Sequence, residues 1–311
     1  MDRADLDLFE RSLRHATGRH TGPALDAALD DLGWPDALTA DRRAAVSILF
    51  ELQGRENASS GALDHVLRGG LGLEAGSVVL PALGSWSPPG RLDGDRLVVA
   101  GLGSGVGEAV VVAGNAEGKD VAAVVATGAL GLRPVRGIDP ALGLVEVTGT
   151  VDGVAPEPVA GWEAAVAVAQ LAVGHQLVGA SRAMLELARR HALERIQFGQ
   201  PIGRFQAVRH RLAETLIAIE TADAALDGAW EDGTPLSAAI AKALAGRGAR
   251  TAARHCQQVL AGIGFTTEHP LHTYVRRVFV LDELLGGSRS LTADMGRNLL
   301  ATRRLPGLLP L

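Results

Sequence analysis

Three textures follow one another along this chain, and their order constrains the fold more than any single motif does. Residues 1–75 carry apolar positions at three- and four-residue spacing: Leu6, Phe9 and Leu13, then Val46, Leu49, Phe50 and Leu52. Gly33-Trp34-Pro35 and residues 57–61 interrupt them, and Ser60 ahead of Leu63, Val66 and Leu67 marks a helix start. Residues 76–158 change to short Val/Leu runs at 96–100, 109–113 and 121–125, broken by Gly, Asp and Asn. Turns at 92–95 and 114–118 have the spacing of antiparallel hairpins, so a small middle β-domain is expected. Residues 159–311 return to helical periods, as in Val208, Leu212, Leu216, Ile219 and Leu226. Connections at 197–203, 232–235 and 261–270 suit antiparallel neighbours. The expected fold is mixed α and β, mostly α: an N-terminal helical domain, a middle β-domain and a C-terminal helix bundle.

Composition narrows what such a fold does. The net charge is −5 and no Lys/Arg block exceeds a pair, which argues against a nucleic-acid groove. One cysteine, Cys256, forms no intramolecular disulfide and cannot build a zinc cluster, which fits a cytoplasmic protein. The acidic start, Met1 to Asp7, lacks the basic and apolar segments of a secretory signal. The most apolar run, 164–178, contains Gln170, His175 and Gln176 and continues into Ser181 and Arg182, so it reads as a buried bundle helix and no membrane span is expected. With four Trp, one Tyr and six Phe against 39 glycines, small aliphatic side chains must fill the interior. Such a core suits helices that approach closely.

Several motifs carry little chemistry. The glycine-rich run 101–107 has Val106 where the third glycine of a dinucleotide loop belongs, and no helix follows, so it reads as a hairpin loop. His269 and His272 are split by Pro270, and no further metal ligand is evident. His175, inside an Ala/Val helix, reads as a hydrogen-bonded core residue.

Two segments carry more. In 193–206 a helix ends and another begins; Gly199 suits a left-handed cap and Pro201 prevents continuation. Arg195, Gln197 and Gln206 surround Phe198 at a break where backbone N–H groups are free. That combination suits a phosphorylated, partly planar ligand, and the alternative is plain helix punctuation with a solvated arginine. In 257–270, Ala261, Gly262 and Gly264 would let backbone N–H groups approach an anion, with Gln258 one turn earlier; the alternative there is a glycine C-cap.

The pattern Arg-x-x-Phe-Gly-x-Pro-Ile-x-x-Phe-Gln at 195–206, with Gln-x-x-Ala-Gly-x-Gly-Phe-Thr-x-Glu at 258–268 and Arg276-Arg277, resembles the C-terminal domain of the flavin-dependent acyl-CoA dehydrogenases. The resemblance is good over residues 160–300 and weak before them. It implies that family's helical, β and four-helix-bundle plan. It also implies that Arg195, Gln197, Phe198, Gln206, Gln258 and Gly262 reach FAD across a subunit interface. The family reaction removes a proton from Cα of an acyl-CoA while hydride leaves Cβ for the flavin. That needs a carboxylate base, by family habit in a Glu-Gly-Thr-like motif. Here residues 284–290 offer Gly286-Gly287-Ser288 or Leu285-Gly286-Gly287, with no carboxylate. The alternative base position of the family falls on Arg182 or Ala183, which cannot serve. Asp282 and Glu283 are the candidates for a shifted base. Trp86 is the only tryptophan of the middle region, its Ser-Trp-Ser-Pro-Pro setting reads as a loop, and the flavin-ring contacts of typical members have no counterpart.

Cofactor-reaching motifs without a base resemble the short, non-catalytic partner subunits of α2β2 actinobacterial acyl-CoA dehydrogenases. Residues 264–277, 32–34 and 49–52 carry that likeness. It implies a homologous catalytic subunit as partner, an acyl-CoA substrate in the complex, such as a bulky steroid side-chain ester, and an electron-transfer flavoprotein or similar acceptor. A self-sufficient dehydrogenase using Asp282 or Glu283, and a flavin-free scaffold or acyl-CoA-binding protein, are the alternatives.

Overall fold

The computed structural model describes residues 3–103, 107–114 and 118–303. The first two residues of the acidic start, the centre of the 101–107 run and the centre of the 114–118 turn lie outside the described residues. Five helices come first: α1 (Arg3–Arg19), α2 (Pro23–Asp31), α3 (Trp34–Ala40), α4 (Arg42–Glu56) and α5 (Ala62–Leu71). Local chemistry sets their ends. The Asp41 carboxylate accepts from the Ala44 N–H at 3.1 Å and opens α4, and Asn57 closes it in the left-handed region at φ 54°. Ser60 sits one residue further from its helix than expected, yet its hydroxyl accepts from the Ala62 N–H at 3.2 Å. The Gly33-Trp34-Pro35 break is a single left-handed residue, Gly33. Trp34 then buries its ring and donates from Nε1 to the Ala45 carbonyl at 3.1 Å.

The strands are β1 (Ser77–Val78), β2 (Leu80–Pro81), β3 (Gly90–Asp93), β4 (Arg96–Gly103), β5 (Glu108–Gly114), β6 (Asp120–Ala126), β7 (Gly131–Pro134), β8 (Val145–Val151) and β9 (Glu157–Pro158). They form one sheet in the order β7-β8-β4-β3-β5-β6-β9, with β1 added to β5 and β2 to β4. The hairpin read from 92–95 is present: Asp93 pairs with Arg96, and Gly94 takes φ 65° between them. Antiparallel spacing did not foreshadow the parallel pairings of β3 and β1 with β5. Successive residues serve opposite faces: Val110 and Val112 of β5 join the core shared with the helices, and Ala109, Val111 and Ala113 join a second core with Leu97, Val99 and Val147.

The remaining helices are α6 (Trp162–Glu194), α7 (Gln206–Asp232), α8 (Pro235–Leu260), α9 (Leu271–Glu283) and α10 (Ser288–Thr302), and a two-rung ladder, β10 (Ile196–Gln197) with β11 (Gln200–Pro201), joins α6 to α7. By length and composition α6 could cross a membrane, but 89% of its most apolar window is buried within the protein, so it is the bundle's central helix. The first helices and the bundle share one core. A Cβ added at Gly179 of α6 would lie 2.0 Å from the Glu51 carbonyl oxygen, and one at Gly54 of α4 would lie 2.1 Å from that of Gln176. Only glycine lets the two backbones cross that closely.

His175 in α6 is a core residue, as its setting suggested. Its Nε2 accepts from Trp230 Nε1 at 3.0 Å and lies 3.1 Å from the Ser47 hydroxyl; burial pushes its pKa down to about 4.

Candidate functional site

Two ion- and hydrogen-bonded pairs fix helix direction: Arg182 of α6 donates to Asp223 of α7 at 2.6 Å, and Thr215 of α7 meets His255 of α8 at 3.1 Å. Reading outward from them, the end of α6, the start of α7 and the end of α8 lie at one end of the bundle. Both chemistry-bearing segments are therefore there. His269 registers the proximity: burial lowers its pKa first, then His191 and Arg190 at the end of α6.

The first segment is a hairpin rather than a helix cap. Arg195 is extended at φ −73°, ψ 113°, Ile196 pairs with Pro201 and Gln197 with Gln200, and the tip is Phe198-Gly199 with φ 51° and 76°. Two consecutive left-handed residues are what a two-residue hairpin needs, so Gly199 serves the tip and not the end of α6. Phe198 pays about 1 kcal/mol for φ > 0 and presents a ring that is 91% exposed, edge-on to Phe205 at 6.1 Å. Arg195, Gln197 and Gln206 are exposed beside it. Gln206 is the first residue of α7, which starts without a side-chain cap and so presents free N–H groups.

In the second segment the positive-φ residue after α8 is Ala261, at φ 53°, not a glycine; Gly262 and Gly264 continue a 3-10 turn. A Cβ at Gly264 would lie 2.9 Å from that of Leu260, whereas Gly262 has open space above its Cα. Gly264 is thus a packing glycine, and Gly262 leaves main chain accessible. Gln258 is exposed on the last turn of α8. His269 Nδ1 accepts from the Leu271 N–H at 3.2 Å, so it helps start α9.

The α9–α10 corner, where the resemblance puts a base, is closed. Leu285 and Gly286 take φ 58° and 101°. A Cβ at Gly286 would lie 2.9 Å from Leu291 Cδ2 and 3.0 Å from Trp86 Cε3, and one at Gly287 would lie 2.5 Å from Glu283 Oε2. Trp86 belongs to a loop, as read, and that loop is fastened here. Its carbonyl accepts from Trp162 Nε1 at 2.8 Å, and the Gly84 N–H donates to the Glu283 carbonyl at 2.7 Å.

Asp282 and Glu283, the candidates for a shifted base, are both engaged by Arg250. Asp282 is fully buried; Arg250 Nε and the Ser288 hydroxyl (3.2 Å) donate to one of its oxygens, and the Ser288 N–H (3.1 Å) donates to the other. It caps α10 and neutralises Arg250. Glu283 accepts from Arg250 at 2.8 Å. Lys242, which the sequence gave no reason to single out, lies buried beneath them and donates to the carbonyls of Asp282 (2.8 Å) and Gly286 (3.2 Å). Burial lowers its pKa to about 8 against the opposing pull of Asp282 and Glu283. Gln170 completes the seal by donating to the Leu285 carbonyl at 2.9 Å. At the other family base position, Arg182 spans Glu51 and Asp223. The glycines within α8 were the available signal: a Cβ at Gly246 would fall 1.8 Å from Asp282 Oδ1.

A 720 Å³ cavity lies beside the sheet, lined by Ala82, Leu102, Arg133, Arg136, Glu146 and Thr148, and a 600 Å³ one lies between α1 and α2, lined by Leu8, His15 and Leu32. Neither includes a residue of the 195–206 or 258–268 segments. The exposed guanidinium, three carboxamides, aromatic ring and open glycine fit a flavin dinucleotide held against the outside of this chain.

Residues 160–300 match the family described as acyl-CoA dehydrogenase, C-terminal domain. The chain is 39% identical over 164 residues to acyl-CoA dehydrogenase FadE34 and 34% identical over 158 residues to acyl-CoA dehydrogenase IpdE2, both of Mycobacterium tuberculosis. Each match covers 50% of this chain, and they cover 23% and 48% of those proteins, so the chain spans less than half of either relative. The fold is similar to that in the ChsE4–ChsE5 complex from Mycobacterium tuberculosis (TM-score 0.79, 19% identity, 99% of each chain). It is also similar to a variant of the Tcur3481–Tcur3483 steroid ACAD (TM-score 0.78, 21% identity, 96% of this chain and 98% of that one).

Proposed function

We propose that this chain, whose residues 160–300 match the acyl-CoA dehydrogenase C-terminal domain, is a partner subunit that completes the FAD site of a homologous catalytic subunit and supplies no base. The observation that carries this reading is the contrast between exposed motif side chains and a corner in which no carboxylate stands at 284–288 and Gly286, at φ 101°, has Leu291 and Trp86 pressed against it. Arg195 brings positive charge to a diphosphate. Gln197, Gln206 and Gln258 offer carboxamide donors and acceptors, Phe198 offers a flat apolar face, and Gly262 admits a ligand to the main chain. FAD, when bound, supplies the acceptor for the hydride that leaves Cβ of an acyl-CoA. The α-proton goes to a base on the partner. Two neighbours whose descriptions pair differently named chains, ChsE4–ChsE5 and Tcur3481–Tcur3483, support a heteromeric assembly, and the word steroid in the second supports a bulky steroid side-chain ester as substrate. The electron acceptor would be an electron-transfer flavoprotein or similar protein, and the setting cytoplasmic.

The test is co-expression with a homologous catalytic acyl-CoA dehydrogenase subunit, followed by flavin quantitation per chain pair. One FAD per pair, lost on Arg195→Ala in this chain with the assembly intact, is the expected result. A chain that loads fully with FAD and oxidises an acyl-CoA alone overturns the proposal, and a complex that forms without any flavin favours a scaffold.

A further inference from the structure

The end of the bundle that holds the motifs carries more positive charge than a diphosphate requires. Arg190 on α6, Arg195 and Arg204 on the connection, Arg209 and Arg211 on α7, and Arg254 on α8 are all exposed, against the carboxylates of Glu194, Glu214 and Glu268, on a chain whose net charge is −5. The buried and half-buried histidines among them sense the excess. After burial, the largest influences lowering the pKa of His255 are Arg211 and Arg254, and the influence lowering that of His191 is Arg195. Exposed apolar groups share the two motif segments at this end: Phe198 at 91%, Phe265 at 70% and Ile196 at 54%. Apolar anchors ringed by arginine are the make-up of a protein interface, and a positive ring calls for a negative counterpart.

We infer that this end docks on a carboxylate-rich face of the catalytic subunit, and that its arginines select that subunit over a second copy of this chain; the inference rests on the partner-subunit reading above. Two copies meeting through this end would bring like charges together, which disfavours the homomeric contact. Arg209, Arg211 and Arg254 lie outside the cofactor motifs, so they separate docking from flavin binding.

The experiment measures association of the full-length chain with the homologous catalytic subunit across a sodium chloride series, for the wild type and for Arg209→Glu/Arg211→Glu/Arg254→Glu. The wild-type rate should fall steeply with salt. The variant should associate about 100-fold more slowly at low salt, with a flattened salt dependence. Its circular dichroism and thermal midpoint should match the wild type, because all three side chains are exposed; the milder Arg254→Gln variant gives a second, smaller step in the same direction. A reversed variant that associates at the wild-type rate with the wild-type salt dependence overturns the inference while leaving the partner-subunit reading standing. So does a wild-type chain that pairs with itself through this end as readily as with the subunit. A wild-type chain that never binds the catalytic subunit overturns that reading, and the inference with it.

Discussion

The open end of the bundle and the α9–α10 corner are the two places to which the sequence resemblance assigns chemistry, yet their side chains are disposed in opposite ways. At the open end, Arg195, Gln197, Phe198 and Gln258 are exposed, and Phe198 sits in a backbone conformation that costs the fold energy. At the corner every polar group has an internal partner: Asp282 with Arg250 and Ser288, Lys242 with two carbonyls, Gln170 with a third. Side chains that satisfy one another do not recruit a ligand. Side chains left unsatisfied at a strained hairpin await one.

Breaking the corner should have the largest effect. Gly286→Glu, which puts a carboxylate at one of the two positions the resemblance offers for the base, forces a side chain against Leu291 and Trp86 at φ 101°. It is expected to lower stability by ~4 kcal/mol or more and to yield no turnover by this chain alone, checked by chemical denaturation and an acyl-CoA oxidation assay. Asp282→Asn should cost ~3 kcal/mol, because it removes the buried carboxylate that offsets the buried Lys242 ammonium and shares Arg250 with Glu283. Denaturant midpoints would show it, and a neutral result would mean that the corner is not held by charge.

The next effect is acid loss of stability through His175. Its folded pKa of about 4 lies below the ordinary histidine value of 6.5, so the unfolded chain binds the extra proton between those two values. Its contribution of ~3 kcal/mol is complete above pH 6.5 and is lost as pH falls toward 4. Thermal midpoints of wild type and His175→Gln across that window should converge at the acid end.

The open end should yield the smallest stability changes and the clearest functional ones. Phe198→Gly relieves a positive φ and should stabilise the isolated chain by ~1 kcal/mol, while lowering the flavin content of the assembled complex. Opposite signs for stability and cofactor retention are what separate a ligand-facing residue from a packing one. Arg195→Ala should leave the thermal midpoint within the effect of an ordinary surface change, ~0.5 kcal/mol, and strip flavin from the pair.

Much of this was legible because its signals are local. Helical periods, the Asp93–Gly94 turn and the two glycine-containing segments need only their neighbours in sequence, and the resemblance at 195–206 and 258–268 rests on such segments. What stayed hidden depends on distant partners. Nothing near Lys242 says that it will cap carbonyls 40 and 44 residues on, and nothing near Trp86 says that it will lie against Gly286. Reading Gly199 as a helix cap failed for a related reason: a left-handed glycine fits both a cap and a hairpin tip, and the pairing of Ile196 with Pro201 decides between them.

The glycine crossing of α4 over α6 also has a consequence for how the chain is made. Gln176 and Ala58, bonded across that same contact, are 118 positions apart. At ~10 residues per second, an α4 leaving the ribosome waits on the order of ten seconds before α6 exists to receive it. Through that interval the side of α4 that carries Gly54 lacks the helix it crosses, and only the helices made before it are there to cover the rest. The first half therefore completes its core only once the second has been translated.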